Sequence, residues 1–439
     1  MTGLSTFLFE AKHFVRSPFK VVAVVLFILA GVYGLHHGAR LYHTQQEELA
    51  AIQETVSENR QQYLDYYDAG KTGPENRPWV NIEEPFWAVW LSNVYHFKAP
   101  SPALVYSIGQ AEQYGFYKRV SFQSSPYDAD MTQEIANPER LQTGTLDFTF
   151  VLLFLLPLLL LILLYNLKSM ETEQGFMALI EVQTASRRRW LLSRLLFYVG
   201  LVFVVIFGLL IYGATLTEVF ASTPEAFVQM LLYSLFYLLL WALVYLIIVS
   251  RGASVMGNTL KMVGVWLMVA FIIPGGVQQW ISMEKPANLM TDYIDATRDE
   301  TQQLYDLPDS VYQAKLQALF PEILDSPVMQ DSVGRAYAYG DSYAALVNEL
   351  MKSTIAPIEA ENEQKNQWVR ASYLFNPVAF FQNRLHTISQ THYDDYQVYR
   401  GAIQASIDLQ NRAMVLDTWG GVVVDKAKYQ EYYQSFTSP

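Results

Sequence analysis

Cysteine is absent from all 439 residues, which excludes disulfides, thiolate nucleophiles, iron–sulfur clusters and cysteine-ligated zinc. Charge is also scarce. Asp, Glu, Lys and Arg make up 16% of the chain and hydrophobic types 51%, against roughly 25% charged residues in ordinary soluble domains. The shortage is local: charge is missing from five runs and present at ordinary density between them, the pattern of membrane spans joined by aqueous segments. The net charge of −12 argues against nucleic acid as a partner, because phosphate binding needs clustered Lys and Arg. Catalytic signatures are missing too. There is no GxxxxGK[ST] phosphate loop, no GxGxxG after a strand, no HExxH and no GxSxG, so the chain is expected to be neither an enzyme nor an ATPase, and to carry no cofactor or metal of its own.

A hydrocarbon core about 30 Å thick needs about 20 apolar residues of helix. Five segments meet that length: residues 18–37, 148–166, 190–213, 227–250 and 262–282. The first lies where a signal peptide would, but no small-x-small cleavage site follows it, so it reads as an uncleaved span. Basic residues sort the loops. Lys12, Arg16 and Lys20 stand at the start of the first span. Lys168, Arg187, Arg188, Arg189 and Arg194 lie between or just inside the second and third, and Arg251 and Lys261 lie between the fourth and fifth. The remaining segments are acidic: residues 41–146 carry 14 Asp and Glu against 7 Lys and Arg, and residues 282–439 carry 21 against 12. The expected topology therefore has the N-terminus and the basic loops cytoplasmic in a bacterial inner membrane. Residues 38–147 and 283–439 form two extracytoplasmic domains, and 214–226 a short outer turn.

Apart from Lys20 and Arg194 near the basic ends, the five spans contain no Asp, Glu, Lys or Arg. Ion-coupled transporters place ionisable groups at membrane depth, so energy for any transport has to come from another subunit. Two segments on the basic side offer docking elements. Residues 1–17 place Leu4, Phe7, Leu8, Ala11, Phe14 and Val15 at helical spacing with Glu10, Lys12 and Arg16 interleaved, which reads either as an interfacial amphipathic helix or as a lead-in to the first span. Residues 167–189 form a connector. In it Glu171 and Glu173 suit a helix N-terminus, Phe176, Leu179 and Ile180 recur on one face, and Arg187–Arg189 close the segment against anionic headgroups. The loop 251–261 completes the basic side.

The connector resembles that of type 2 ABC exporter permeases, which reads roughly E-x-E-x-G-T-x-x-x-L-L-S-x-P-V-S-R. Glu171, Glu173, Gly175, Ser186 and Arg187 fall on that pattern, with Ile180 for the first paired leucine. Phe176, Glu181 and Thr184 depart from it, standing for Thr, an apolar residue and Pro. Further stretches are similar to one subfamily with large extracytoplasmic inserts: Ala99–Leu104 with Ser107–Gln110, Glu134–Pro138 with Gly144–Phe148, and Asn376–Gln382. The resemblance implies a permease subunit working with separate ABC ATPase subunits that carry ATP and Mg, paired with a second permease copy or paralogue. Glu171, Glu173, Gly175, Phe176, Leu179, Ile180, Ser186 and Arg187 would couple the two. It also implies a sixth span after Pro439. A non-transporting, ATPase-coupled scaffold or mechanotransmitter predicts the same connector.

The fold expected is mainly α: a polytopic membrane bundle with a largely helical extracytoplasmic lobe. In that lobe Gln45–Tyr67 reads as a helix rising from the membrane. Further helices are expected over Ala287–Leu304, Ser310–Leu319, beyond Asp341 and over Tyr393–Val415, with Pro85–Trp90 as an aromatic core segment. His36, His37 and His43 cluster at the outer end of the first span, and His386 and His392 lie near Asp394 and Asp395. Each set reads more simply as surface than as a metal or catalytic site.

Overall fold

The computed structural model describes residues 3–128, 130, 146–183, 186–252, 254–285, 302 and 304–437, with side chains from Phe7 onward. Long apolar runs satisfy their backbone only as helices where no water is available, and helices dominate here. Helix α1 (Gly3–Val15) is separated from α2 (Pro18–Asp68) at Ser17, where φ −104° and ψ 86° leave the helical region, as expected of a residue before proline. Helix α2 does not stop at residue 37. It runs unbroken for 51 residues, about 75 Å at 1.5 Å per residue, so the expected helix over Gln45–Tyr67 is its continuation. Short α3 (Pro85–Trp90) precedes an antiparallel pair, β1 (Val94–Phe97) with β2 (Tyr117–Val120).

The bundle continues with α4, residues 148–164, which contains a π turn at Val151–Leu155. The connector follows as α5 (Ser169–Glu173) and α6 (Met177–Gln183), then α7 (Arg187–Leu216), α8 (Pro224–Arg251) and α9 (Val255–Glu284), with a second π turn at Met268–Ile272. Five helices, α2, α4, α7, α8 and α9, are long and apolar enough to cross a membrane. Helix α4 is their centre: 67% of its apolar window is buried, against 11% for α9 at the edge.

Close approach is set by small residues. A Cβ on Gly34 would sit 2.7 Å from the Asp147–Phe148 backbone, and one on Gly38 2.6 Å from the carbonyl oxygen of Val105. This is the small-xxx-small spacing that lets helices touch. Prolines add cross-links rather than weakness. Pro157 cannot donate to the Leu153 carbonyl, and the Tyr237 hydroxyl of α8 donates there instead at 2.7 Å, while Trp266 Nε1 of α9 donates to Phe154 O at 3.2 Å.

The lobe holds α10 (Asp309–Leu319), α11 (Ser332–Asp341), α12 (Tyr343–Ala371), α13 (Pro377–Ile388), α14 (Tyr393–Trp419) and α15 (Lys426–Thr437). The two acidic segments are not separate bodies. Leu64, Val89, Val94 and Phe122 from the first share one core with Leu316, Ile323, Met414, Trp419 and Tyr432 from the second. Backbone and side-chain bonds stitch the same seam: Val424 N–H donates to Glu83 O at 2.8 Å, the Tyr429 hydroxyl to Leu91 O at 3.0 Å, and Asn411 Nδ2 to Phe122 O at 3.0 Å. Ala88 and Val89 of α3 lie in this core with Phe86 and Trp90 packed against it. Most of the expected helix over Ala287–Leu304 lies outside the described residues. Helix α13 forms the neck between lobe and bundle, with Phe381 stacking edge-on to Tyr237 of α8 at 4.8 Å.

Candidate functional site at the connector end

At the connector end, three elements meet at one arginine. Helix α1 lies along the start of α7, with Phe7 5.0 Å and Phe14 6.4 Å from the Phe197 ring. On the same face, one turn from each, the fully buried Glu10 carboxylate sits 2.6 Å from Arg194 Nε. The other edge of the Arg194 guanidinium donates from Nη1 to Glu171 of α5, and its plane lies 4.9 Å from the Trp190 ring. A planar guanidinium suits this role because it presents donors on two edges at once. Beside it Lys20 of α2 donates to Leu163 O at 2.8 Å, Asn166 Oδ1 at 3.1 Å and Tyr198 OH at 3.2 Å. Burial of such charge is tolerated only when each group is paired.

The connector root is pinned on its other side as well. Lys168 Nζ donates to the Ser250 and Gly252 carbonyls at 2.7 and 3.3 Å, where α8 ends. The Glu173 carboxylate accepts from Val255 N–H at 2.8 Å, at the N-terminus of α9, where negative charge is favoured. Glu173 therefore caps a different helix from the one that carries it.

The chain turns at Gly175. Its φ of +77° is left-handed, Phe176 N–H donates to Glu171 O at 2.9 Å and Gly175 N–H to Thr172 O at 3.3 Å. These are the two bonds of a Schellman motif, which closes α5 with glycine in the left-handed position. The connector is thus two short helices joined by an elbow.

Beyond the elbow, α6 buries no residue. Met177 and Ile180 pack toward the bundle core. Phe176, Leu179 and Val182 face outward and are 54%, 57% and 86% exposed. Ser186 occupies the N-cap of α7 without a side-chain capping bond, and Arg187 Nη1 lies 3.4 Å from Glu181. The eight residues singled out by sequence therefore fall into three groups: Glu171 and Glu173 in the root, Gly175 and Phe176 at the elbow, and the others on or after α6. Ile180 turns inward rather than sharing a face with Phe176 and Leu179.

Sequence reasoning missed Glu10, Lys20, Lys168 and Arg194 as a network. A signal existed, since Glu10 stands at i+3 from Phe7 and i−4 from Phe14, inside the apolar stripe rather than opposite it. Elsewhere, the stretches 99–110 and 376–391 meet: Gln110 N–H donates to Thr391 O at 2.9 Å, the Ser389 hydroxyl to Ala103 O at 2.9 Å, and Asn376 caps α13. Residues 131–145, with the Glu134–Pro138 stretch and Gly144, and Thr184 lie outside the described residues.

The histidines point to separate partners. His37 pairs with Glu112 at 3.0 Å, while His43 bonds to Leu216 O and His36 to Val32 O. His392 forms a capping box with Asp395 at the start of α14. Among the described residues no group of three or more His, Asp or Glu is placed to hold a metal. Comparison with protein-family models, curated proteins and solved structures finds no match.

Proposed function

We propose that this chain is the transmembrane permease subunit of an ATP-binding cassette exporter in a bacterial inner membrane. In this reading the connector end is cytoplasmic and the lobe extracytoplasmic, as the distribution of basic residues favours. Separate ATPase subunits bind ATP and Mg, and a second permease copy or paralogue completes the complex. The observation that carries the proposal is the Arg194 junction. One buried guanidinium ties α1 through Glu10 and the connector through Glu171 to α7, while Phe176, Leu179 and Val182 stay uncovered just past the elbow. A force applied to that apolar strip passes through the elbow to Glu171 and Glu173, and from there to α7 and α9. Met177 and Ile180 transmit the same push into the bundle by packing.

Purification in mild detergent followed by mass spectrometry tests this. A co-purifying ATPase with a phosphate loop supports it; recovery without one, under conditions that preserve transporter complexes, removes its basis.

A second reading rests on α2. This single helix holds Lys20 beside the Arg194 junction and Leu64 in the lobe core, and Lys426 of the lobe pairs with Asp68 at its end at 2.6 Å. Such a strut suits a mechanotransmitter that works the lobe without opening a path. Vesicles containing the chain and its ATPase separate the two: cargo movement coupled to ATP hydrolysis favours the exporter, and hydrolysis that alters the lobe without any cargo movement favours the strut.

A further inference from the structure

The lobe contains a cavity of about 740 Å³ between the 122–128 loop, α12 and α14, a size typical of sites for small organic ligands. Its wall is apolar along α12, where Val347, Met351 and Ile355 recur every fourth residue; Met351 and Ile355 pack on the buried Tyr127. Tyr343 and Phe122 extend that wall.

The charges around the cavity are nearly all matched. Lys352 pairs with Glu349 at 2.9 Å and Asp408 at 3.2 Å, Arg400 with Asp130 at 2.8 Å, and Asp128 with Lys118 at 2.9 Å. Glu359 is the exception. It lines the cavity and accepts from the Tyr127 hydroxyl, with no Lys or Arg among the described residues in ion-pair contact. The uncompensated charge at this site is therefore negative. It is bordered by aromatic rings, whose faces attract cations, within an acidic lobe that raises local cation concentration.

We infer that the lobe cavity binds an organic cation with an apolar body, its charge at Glu359 and Tyr127 and its body against Val347, Met351 and Ile355. This stands apart from the ATPase-coupled reading and is tested on the chain alone. Tetraphenylphosphonium is a suitable probe, with tetraphenylborate as a shape-matched anion. Equilibrium dialysis against the purified full chain in detergent, corrected with protein-free micelles, is expected to show saturable binding of the cation. Glu359→Gln removes a charge contact at the exposed edge of the cavity and weakens binding about twofold to fivefold, and Met351→Trp, which intrudes on the apolar wall, weakens it as well. Non-saturable uptake equal to that of micelles overturns the inference, as does equal affinity for both ions, or binding unchanged in Glu359→Gln. Should Met351→Trp fail to give a monodisperse protein, the exposed Glu359→Gln change and the anion comparison decide alone.

Discussion

The two ends of this molecule bury arginine in different ways. In the lobe, Arg400 meets one carboxylate, Asp130, and its remaining surface is packed by the rings of Tyr114 and Tyr127 at 4.4 and 5.4 Å. That pair locks α14 onto the 114–130 segment inside a core. At the connector end, Arg194 serves two carboxylates from two other elements, Glu10 and Glu171, and α6 beyond it buries none of its residues. A one-to-one pair in a dense aromatic core fixes a structure. One cation shared between three chain segments makes a joint, because a shift of either carboxylate-bearing segment is felt at the same guanidinium.

The comparison breaks hardest at Arg194. Arg194→Leu leaves Glu10 and Glu171 without their cation, and losing one partner of a buried pair costs about 3–5 kcal/mol. Thermal unfolding in detergent should show a clear drop, with Glu10→Gln in the same background restoring part of it. Next is the seam that carries the lobe. Gly38→Val drives a side chain into the Val105 carbonyl and should destabilise by about 1–3 kcal/mol, the usual range for overpacking, with loss of monodisperse protein on gel filtration. The elbow is smaller. Gly175→Ala meets no neighbour, so its cost is backbone alone, about 1–2 kcal/mol for a side chain in the left-handed region; it should lower the unfolding temperature modestly while lowering partner-coupled ATP hydrolysis. Smallest is Glu173→Gln, which removes a charge from the α9 N-terminus, worth about 0.3–1 kcal/mol, and is read best as a loosened connector in hydrogen exchange.

The lobe adds a pH signature of its own. Burial, and then the neighbouring His392, hold His386 down to about 4. The folded protein thus binds its proton later than the unfolded chain, and stability present above pH 6.5 is lost as pH falls toward 4. A His386→Gln variant should flatten that part of an acid unfolding series; an unchanged slope would show that other groups set it.

Much of the bundle was legible because apolar length is a one-dimensional signal. All five apolar helices fall on the runs read from sequence, and the departures lie at the ends. Helix α2 overran residue 37 because Arg40 to Asp68 is itself good helix sequence, and polarity alone does not end a helix. That the two acidic segments form one lobe was expected from sequence, but which residues meet was not, since its core pairs residues such as Val94 and Tyr432 that lie hundreds of positions apart and no local pattern encodes that. Of the candidate site, Glu171, Glu173 and Gly175 were singled out by the resemblance of the connector, and Gly175 does carry a positive φ. Arg194 read as one more basic residue near a span end, because what distinguishes it is its two partners in distant segments.

The most direct test of the joint uses the absence of cysteine as a tool. A single Leu179→Cys, placed on the uncovered strip past the elbow, carries a photo-crosslinker in native membranes, with Val398→Cys on the exposed face of the lobe as the reference site. The account predicts that Leu179→Cys captures a phosphate-loop ATPase and that Val398→Cys does not. Crosslinking of Leu179→Cys to lipid alone, or capture of the same ATPase from both positions, would contradict it.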